Sequence, residues 1–217
     1  MHTVAEARAA FDVARGCFGR VSFDLIYARQ DQSREAWRRE LREALSMAVD
    51  HLSLYQLTVE DGTVFGARAA AGKLRGLPDD DLAADMYLET QDICAEHGMP
   101  AYEVSNHAAP GSESRHNLVY WRQGDWVGIG PGAHGRVTLD GQRWATEAPR
   151  APGAWLAAVD AGSGEAPRVV VPRDEQATEY LLMSLRLAEG MDLGRYARLA
   201  GRELDAGAVH EPVSYTH

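Results

Sequence analysis

Residues 20–60 constrain the fold more than any other part of the chain. Arg20 to Ala28, RVSFDLIYA, is apolar on both faces of a period-two pattern, which suits a strand buried inside a parallel sheet. Ser33 then stands where a helix N-cap belongs, and Trp37, Leu41, Leu45 and Ala48 follow as one stripe. His51 to Glu60, HLSLYQLTVE, reads as a second strand, of mixed polarity. Strand, helix and strand in that order make a crossover between parallel strands, so the chain is α/β.

Alternation along the first strand puts Val21, Phe23 and Leu25 on one face and Ser22, Asp24 and Ile26 on the other. A carboxylate buried there must be paired or hydrogen-bonded. Near the carboxyl end of a parallel strand the partner is often a ligand, so Asp24 is a candidate binding residue; a capped structural aspartate fits the pattern equally. Tyr55, Gln56 and Glu60 sit at a similar level on the second strand and are expected to line the same opening.

The remaining elements follow from caps and periods. Thr3-Val4-Ala5-Glu6 is a capping box ahead of a helix with Ala7, Ala10, Phe11 and Ala14 at helical spacing. Residues 67–77 read as a small-residue connection. Asp79, Asp80 and Asp81 open a third helix with Leu82, Met86, Thr90, Ile93 and Cys94 inside, closed by His97-Gly98. Ala101 to Ala108, AYEVSNHA, reads as one strand with Glu103 and Asn106 as polar members. A hairpin is expected to turn at Asp140-Gly141, a short helix at Gly153 to Ala161, and two more at Arg173 to Glu189 and Asp192 to Ala200.

Arg115 to Arg136, RHNLVYWRQGDWVGIGPGAHGR, concentrates two of five tryptophans, two of eight histidines and five of 21 glycines. Its front half sets His116-Asn117 before the β-prone run Leu118 to Trp121. Its back half, Gly128 to Gly135, suits positive φ or close backbone approach. Together these read as one wall of a pocket for a flat or bulky ligand. A glycine-bent β-hairpin with core aromatics explains the same residues.

Composition excludes several classes. The chain has 217 residues and a net charge of −10; Arg34, Arg38, Arg39 and Arg42 share a helix with Glu35, Glu40 and Glu43, so no basic stripe for nucleic acid exists. No apolar run of membrane-spanning length and no signal peptide is present, which points to the cytoplasm. Cys17 and Cys94 stand far apart and read as buried thiols. Gly128-x-Gly130-x-x-Ala133 matches a dinucleotide fingerprint, but Pro131 removes a needed N–H and no amphipathic helix follows. His107, His116 and His134 lack metal-site spacing.

Five ordered blocks carry a family resemblance: FDLIY at Phe23 to Tyr27, SLYQLTVEDGTVF at Ser53 to Phe65, YEVSNHA at Tyr102 to Ala108, RHNLVYW at Arg115 to Trp121, and GIGPGAHGR at Gly128 to Arg136. The chain resembles the radical S-adenosylmethionine (radical SAM) family of oxygen-independent coproporphyrinogen III oxidase-like proteins, and within it the heme chaperone branch. The resemblance implies the later part of a partial (β/α) barrel over residues 1–77, an α+β extension over 78–148, and a helical region over 149–209. It implies a 4Fe-4S cluster and S-adenosylmethionine in the intact parent, with Asp24 contacting S-adenosylmethionine and Gln56 nearby. It implies heme contact by His116, Asn117, Tyr120 and Trp121, with His116 as the iron ligand. The family's C-x-x-x-C-x-x-C motif is expected upstream of residue 1. After Tyr27 the family usually continues Gly-Leu-Pro-Gly-Gln, where this chain has Ala28 to Gln32, so the loop beside Asp24 is expected to differ. Val213 to His217, VSYTH, resembles translated adapter sequence, and residues 210–217 are expected to be non-native.

Two functions follow from the resemblance. One is heme binding and delivery to acceptor proteins, any membrane contact coming only through such an acceptor. The other is oxidative decarboxylation of coproporphyrinogen III. A self-sufficient α/β binding domain without metal chemistry is the third, unrelated reading.

Overall fold

A computed structural model describes residues 3–204, which form two units, residues 3–113 and 114–204. The first opens with α1 (Val4–Cys17), begun by the expected capping box: Glu6 N–H donates to Thr3 Oγ1 at 3.3 Å and Thr3 N–H to Glu6 Oε2 at 2.6 Å. Four strands follow, β1 (Asp24–Tyr27), β2 (His51–Gln56), β3 (Ala101–Glu103) and β4 (Asn106–Ala108), in the spatial order β1-β2-β4-β3. β1 and β2 pair in parallel across α2 (Arg34–Met47), as the crossover requires.

Three expectations need correction. AYEVSNHA is not one strand but the hairpin β3–β4, because the Val104-Ser105 turn reverses the chain, and β4 then pairs antiparallel with β2. The sheet is therefore mixed. Residues 20–28 shorten to the four of β1, the outer strand of this sheet, with Ile26 46% exposed rather than buried on both faces. The 67–77 connection contains most of an unforeseen helix, α3 (Val64–Ala70), capped by Thr63 Oγ1 accepting from Gly66 N–H at 2.9 Å.

One core fills the unit. α2 and α4 (Asp80–Glu96) contribute Trp37, Leu41, Ala44, Leu45, Met86, Ile93 and Cys94, which pack on Tyr27, Leu52 and Leu54. Trp37 is fully buried, stacks on Tyr27 with ring centroids 5.0 Å apart, and donates its indole N–H to Thr90 Oγ1 at 2.8 Å. Asp79 caps α4 by accepting from Leu82 N–H at 2.9 Å. Burial drives the Cys94 thiol up to about 12, the state of an inert core sulfur.

The second unit holds α5 (Arg115–Trp121), the antiparallel strands β5 (His134–Leu139) and β6 (Gln142–Glu147), α6 (Pro152–Asp160), the short β7 (Val169–Val170), α7 (Arg173–Ser184) and α8 (Leu193–Ala200). Asp140 and Gly141 turn the hairpin with φ of 50° and 76°, the pair of left-handed residues a tight two-residue turn needs. Ala177, Tyr180 and Tyr196 form the seam between α7 and α8, and Gly201 ends α8 at φ 68°. Among the described residues no helix is long and apolar enough to cross a membrane. Residues 210–217 lie outside the described residues.

Candidate functional site

Two sets of candidate residues lie in separate units. In the first, Asp24 is exposed at the start of β1, not buried as the alternation suggested, because no described strand lies beyond it. It borders a cleft of about 410 Å³ between α1, β1 and α2, with Val4, Ala7, Phe11, Phe23 and Leu25 as its apolar lining. Register places Ser53 opposite Asp24, Asn106 opposite Ser53, and Glu103 opposite Asn106. Cross-strand partners share a face, so these four side chains form one polar row across the sheet. Ser53, Asn106 and Glu103 are buried; Glu103 accepts from Asn106 Nδ2 and, at 2.9 Å, from Ser105 N–H. Asn106 Oδ1 is buried and without a hydrogen-bond partner among the described residues, a costly state that a ligand donor would relieve.

Gln56 does not join this row. It pairs with Tyr27, whose hydroxyl reaches Gln56 Oε1 at 3.5 Å, and the two-residue period turns it to the opposite face from Asp24. Tyr55, opposite Ile26, shares Asp24's face, and Glu60 lies beyond the end of β2. Ser53 is the member that sequence reasoning missed; its signal was a small polar residue between Leu52 and Leu54.

The loop after β1 carries strain. Ala28 and Asp31 both adopt φ of 57°, a region costly for residues other than glycine. At both positions the backbone bends as glycine would while the side chains are alanine and aspartate. Asp31 N–H is anchored to Gly76 O at 2.6 Å. Ala28→Gly is therefore expected to raise unfolding free energy by about 1 kcal/mol. An unchanged or lower denaturant midpoint would show that the loop tolerates alanine without strain.

In the second unit the H-N-x-x-Y-W block is helical. Ser114 Oγ accepts from Asn117 N–H at 3.3 Å and starts α5, so the β-prone run Leu118 to Trp121 lies on a helix; the local cap outweighs the propensity. Four-residue spacing then brings His116 edge-on to Tyr120, ring centroids 4.8 Å apart, and Tyr120 lies 4.7 Å from Trp126. Trp126 is flanked by the guanidinium groups of Arg136 and Arg143, at 6.0 and 5.8 Å from its ring. Arg136 pairs with Glu179 at 2.7 Å and Arg143 with Asp125 at 2.8 Å, which fixes both cations. The imidazole of His116 is exposed.

Trp121 is less free than the sequence suggested. The Arg186 guanidinium sits 4.4 Å over its ring, so one face is already covered. Asn117 and Arg115 lie on the same short helix, Arg115 exposed. His134 begins β5 and is exposed, while His107 is fully buried in the other unit with neither ring nitrogen hydrogen-bonded among the described residues.

The glycines of residues 128–135 serve mainly the chain itself. A Cβ on Gly128 would fall under 3.0 Å from the His134 backbone, and one on Gly135 under 3.0 Å from Thr146 Oγ1 and Trp126 O. Their absent side chains let backbone cross backbone, the close approach expected of this stretch. Gly128 and Gly130 nonetheless border a cavity of about 230 Å³ with Ile129 and Trp155. Among the described residues no three His, Cys, Asp or Glu side chains converge as a metal site.

No family model matches the chain. It is 39% identical over 196 residues to the mitochondrial radical S-adenosyl methionine domain-containing protein 1 of Danio rerio, covering 88% of this chain and 43% of that protein. It is 42% identical over 155 residues to the Heme chaperone HemW of Escherichia coli, covering 70% and 39%. With the Heme chaperone HemW of Mycobacterium tuberculosis the identity is 38% over 194 residues, covering 88% and 48%. The chain thus spans less than half the length of these relatives. Its fold matches the radical SAM enzyme coproporphyrinogen III oxidase HemN of Escherichia coli, with a TM-score of 0.68 at 19% identity, over 93% of this chain and 48% of that one.

Proposed function

This chain belongs to the radical SAM family that includes the HemW heme chaperones, and from that premise we propose that it forms the heme-binding part of such a chaperone, which delivers heme to an acceptor protein. The observation that carries the reading is the exposed His116 imidazole, oriented edge-on by Tyr120 at the head of α5. A neutral imidazole is a suitable axial ligand for heme iron. Tyr120 and Trp121 supply aromatic surface for a porphyrin, and Arg115 a cation for a propionate. Asn117, the next residue on α5, is the group proposed to orient the imidazole or to meet a second propionate.

In the first unit Asp24, Ser53 and Asn106 form the polar row proposed to meet S-adenosylmethionine, with oxygens ready to accept from its hydroxyl and ammonium groups. That cofactor and a 4Fe-4S cluster belong to the intact parent. The cluster needs thiolates that Cys17, exposed at the last residue of α1, and Cys94, buried in α4, do not supply together. A division of the chain at residues 78 and 149, and a cytoplasmic setting, are parts of the same proposal; the Danio rerio relative is mitochondrial by name.

The test is a heme titration followed by the Soret band. His116→Ala is expected to weaken heme binding about a hundredfold, roughly 3 kcal/mol, with an unchanged far-ultraviolet circular dichroism spectrum. His134→Ala is expected to do less. Binding by both variants at the parent's affinity would remove the heme assignment. The alternative, a coproporphyrinogen III oxidase, has a shared fold as its support. Porphyrinogen turnover by the full-length parent would favour it instead.

A further inference from the structure

A cleft of about 440 Å³ in the second unit is assigned to neither candidate site. β7, the amino end of α7 and one face of α8 enclose it, with the Gly141-Gln142 turn of the hairpin at its rim. Three arginines line it, Arg173, Arg195 and Arg198, and no aspartate or glutamate does. That is a marked local excess of positive charge in a chain of net charge −10.

Among the described residues the three cations make no salt bridge. Arg195 is half-buried, lies 4.3 Å over the Tyr180 ring, and donates to Arg122 O at 2.7 Å and to Gln123 O and Oε1 at 3.3 and 3.1 Å. These contacts hold its position, and its guanidinium makes no salt bridge among the described residues, although Glu189 and Asp192 border the neighbouring cavity it also lines. Arg173 and Arg198 are exposed and make no ion pair among the described residues. Arg173 is also the first residue of α7, whose cap Pro172 makes no side-chain hydrogen bond; Asp174 and Glu175 share that turn, so its N–H groups are a secondary source of donors beside the arginines. Val170, Val171, Pro172 and Leu199 give the same cleft an apolar wall.

Guanidinium forks and helix-end N–H groups together match the oxygens of a phosphate, and the apolar wall matches a small organic body attached to it. The volume suits a ligand of that size. We propose that this cleft binds a phosphorylated small molecule, with Arg173 and Arg198 holding the phosphate and Arg195 setting the cleft's potential. The site is independent of the heme reading, because it uses none of the residues assigned to heme.

Pyrophosphate, with citrate as a carboxylate control, is the probe, titrated into the full chain by calorimetry at two salt concentrations. Saturable pyrophosphate binding is expected, weakened at least about tenfold by Arg173→Ala and by Arg198→Ala, and further by the double variant. Affinity is expected to fall with added salt. Both arginines are exposed, so their removal leaves the fold intact, and an unchanged melting curve verifies this. Pyrophosphate binding that both variants retain, an absence of binding, or citrate bound as tightly as pyrophosphate would each overturn the assignment.

Discussion

Trp37→Ala is expected to cost the first unit about 4 kcal/mol, enough to leave it largely unfolded at room temperature. The indole is fully buried, at the centre of the core that α2 and α4 build on the sheet. Its removal deletes a large apolar volume and the stack on Tyr27. It also takes away the donor to Thr90 Oγ1, a hydroxyl that keeps its own bond to Met86 O at 2.7 Å. Trp37→Phe retains most of the volume and the ring stack, so it is expected to cost about 1–2 kcal/mol. Urea unfolding followed by circular dichroism checks both. A Trp37→Ala midpoint within experimental error of the parent would mean that the core is not organised around this side chain.

Acidification from pH 8 to pH 5 is expected to weaken the same unit by about 2 kcal/mol through His107 alone. Burial, and secondarily the neighbouring His51, depress the His107 pKa from 6.5 to about 4. In the unfolded chain the ring titrates near 6.5, so between 6.5 and 4 the unfolded state holds more protons than the folded one. Stability therefore falls as pH drops through that window and levels off below it. His51, held between Ser22 Oγ at 2.7 Å and the Tyr102 hydroxyl at 2.9 Å, is also depressed, mainly by burial, and adds an effect of the same sign. His107→Phe isolates the larger contribution. It removes two buried nitrogens without partners and is expected to flatten the pH dependence while raising stability at pH 5. Parallel pH profiles for His107→Phe and the parent would show that this imidazole is hydrated or paired.

Much of the local structure was legible because its causes are local. The Thr3–Glu6 capping box, the Ser33 N-cap, the acidic opening of α4 at Asp79 to Asp81 and the Asp140-Gly141 turn all act over a few residues, and each appears where the sequence places it. The parallel pairing of β1 and β2 was legible for a related reason. A helix between two apolar runs leaves the second strand little choice but to run alongside the first. The family was legible from five short blocks in order.

Other features depended on groups far apart in the sequence. The β-prone Leu118-Val119-Tyr120-Trp121 run became helical because Ser114 caps it and Tyr120 packs on Trp126, a partner that periodicity does not reveal. Asp24's neighbours are Ser53, Asn106 and Glu103 through register across four strands, and a shift of one residue would have exchanged Ser53 for Leu52 or Leu54. Gln56 faces away from that row for the same reason. The sequence by itself determined the α/β class, the caps and turns, and the residues able to ligate or bind. Only the tertiary structure decided which of them meet, because strand register and helix docking are set by burying distant apolar faces together, and that free energy exceeds any local preference.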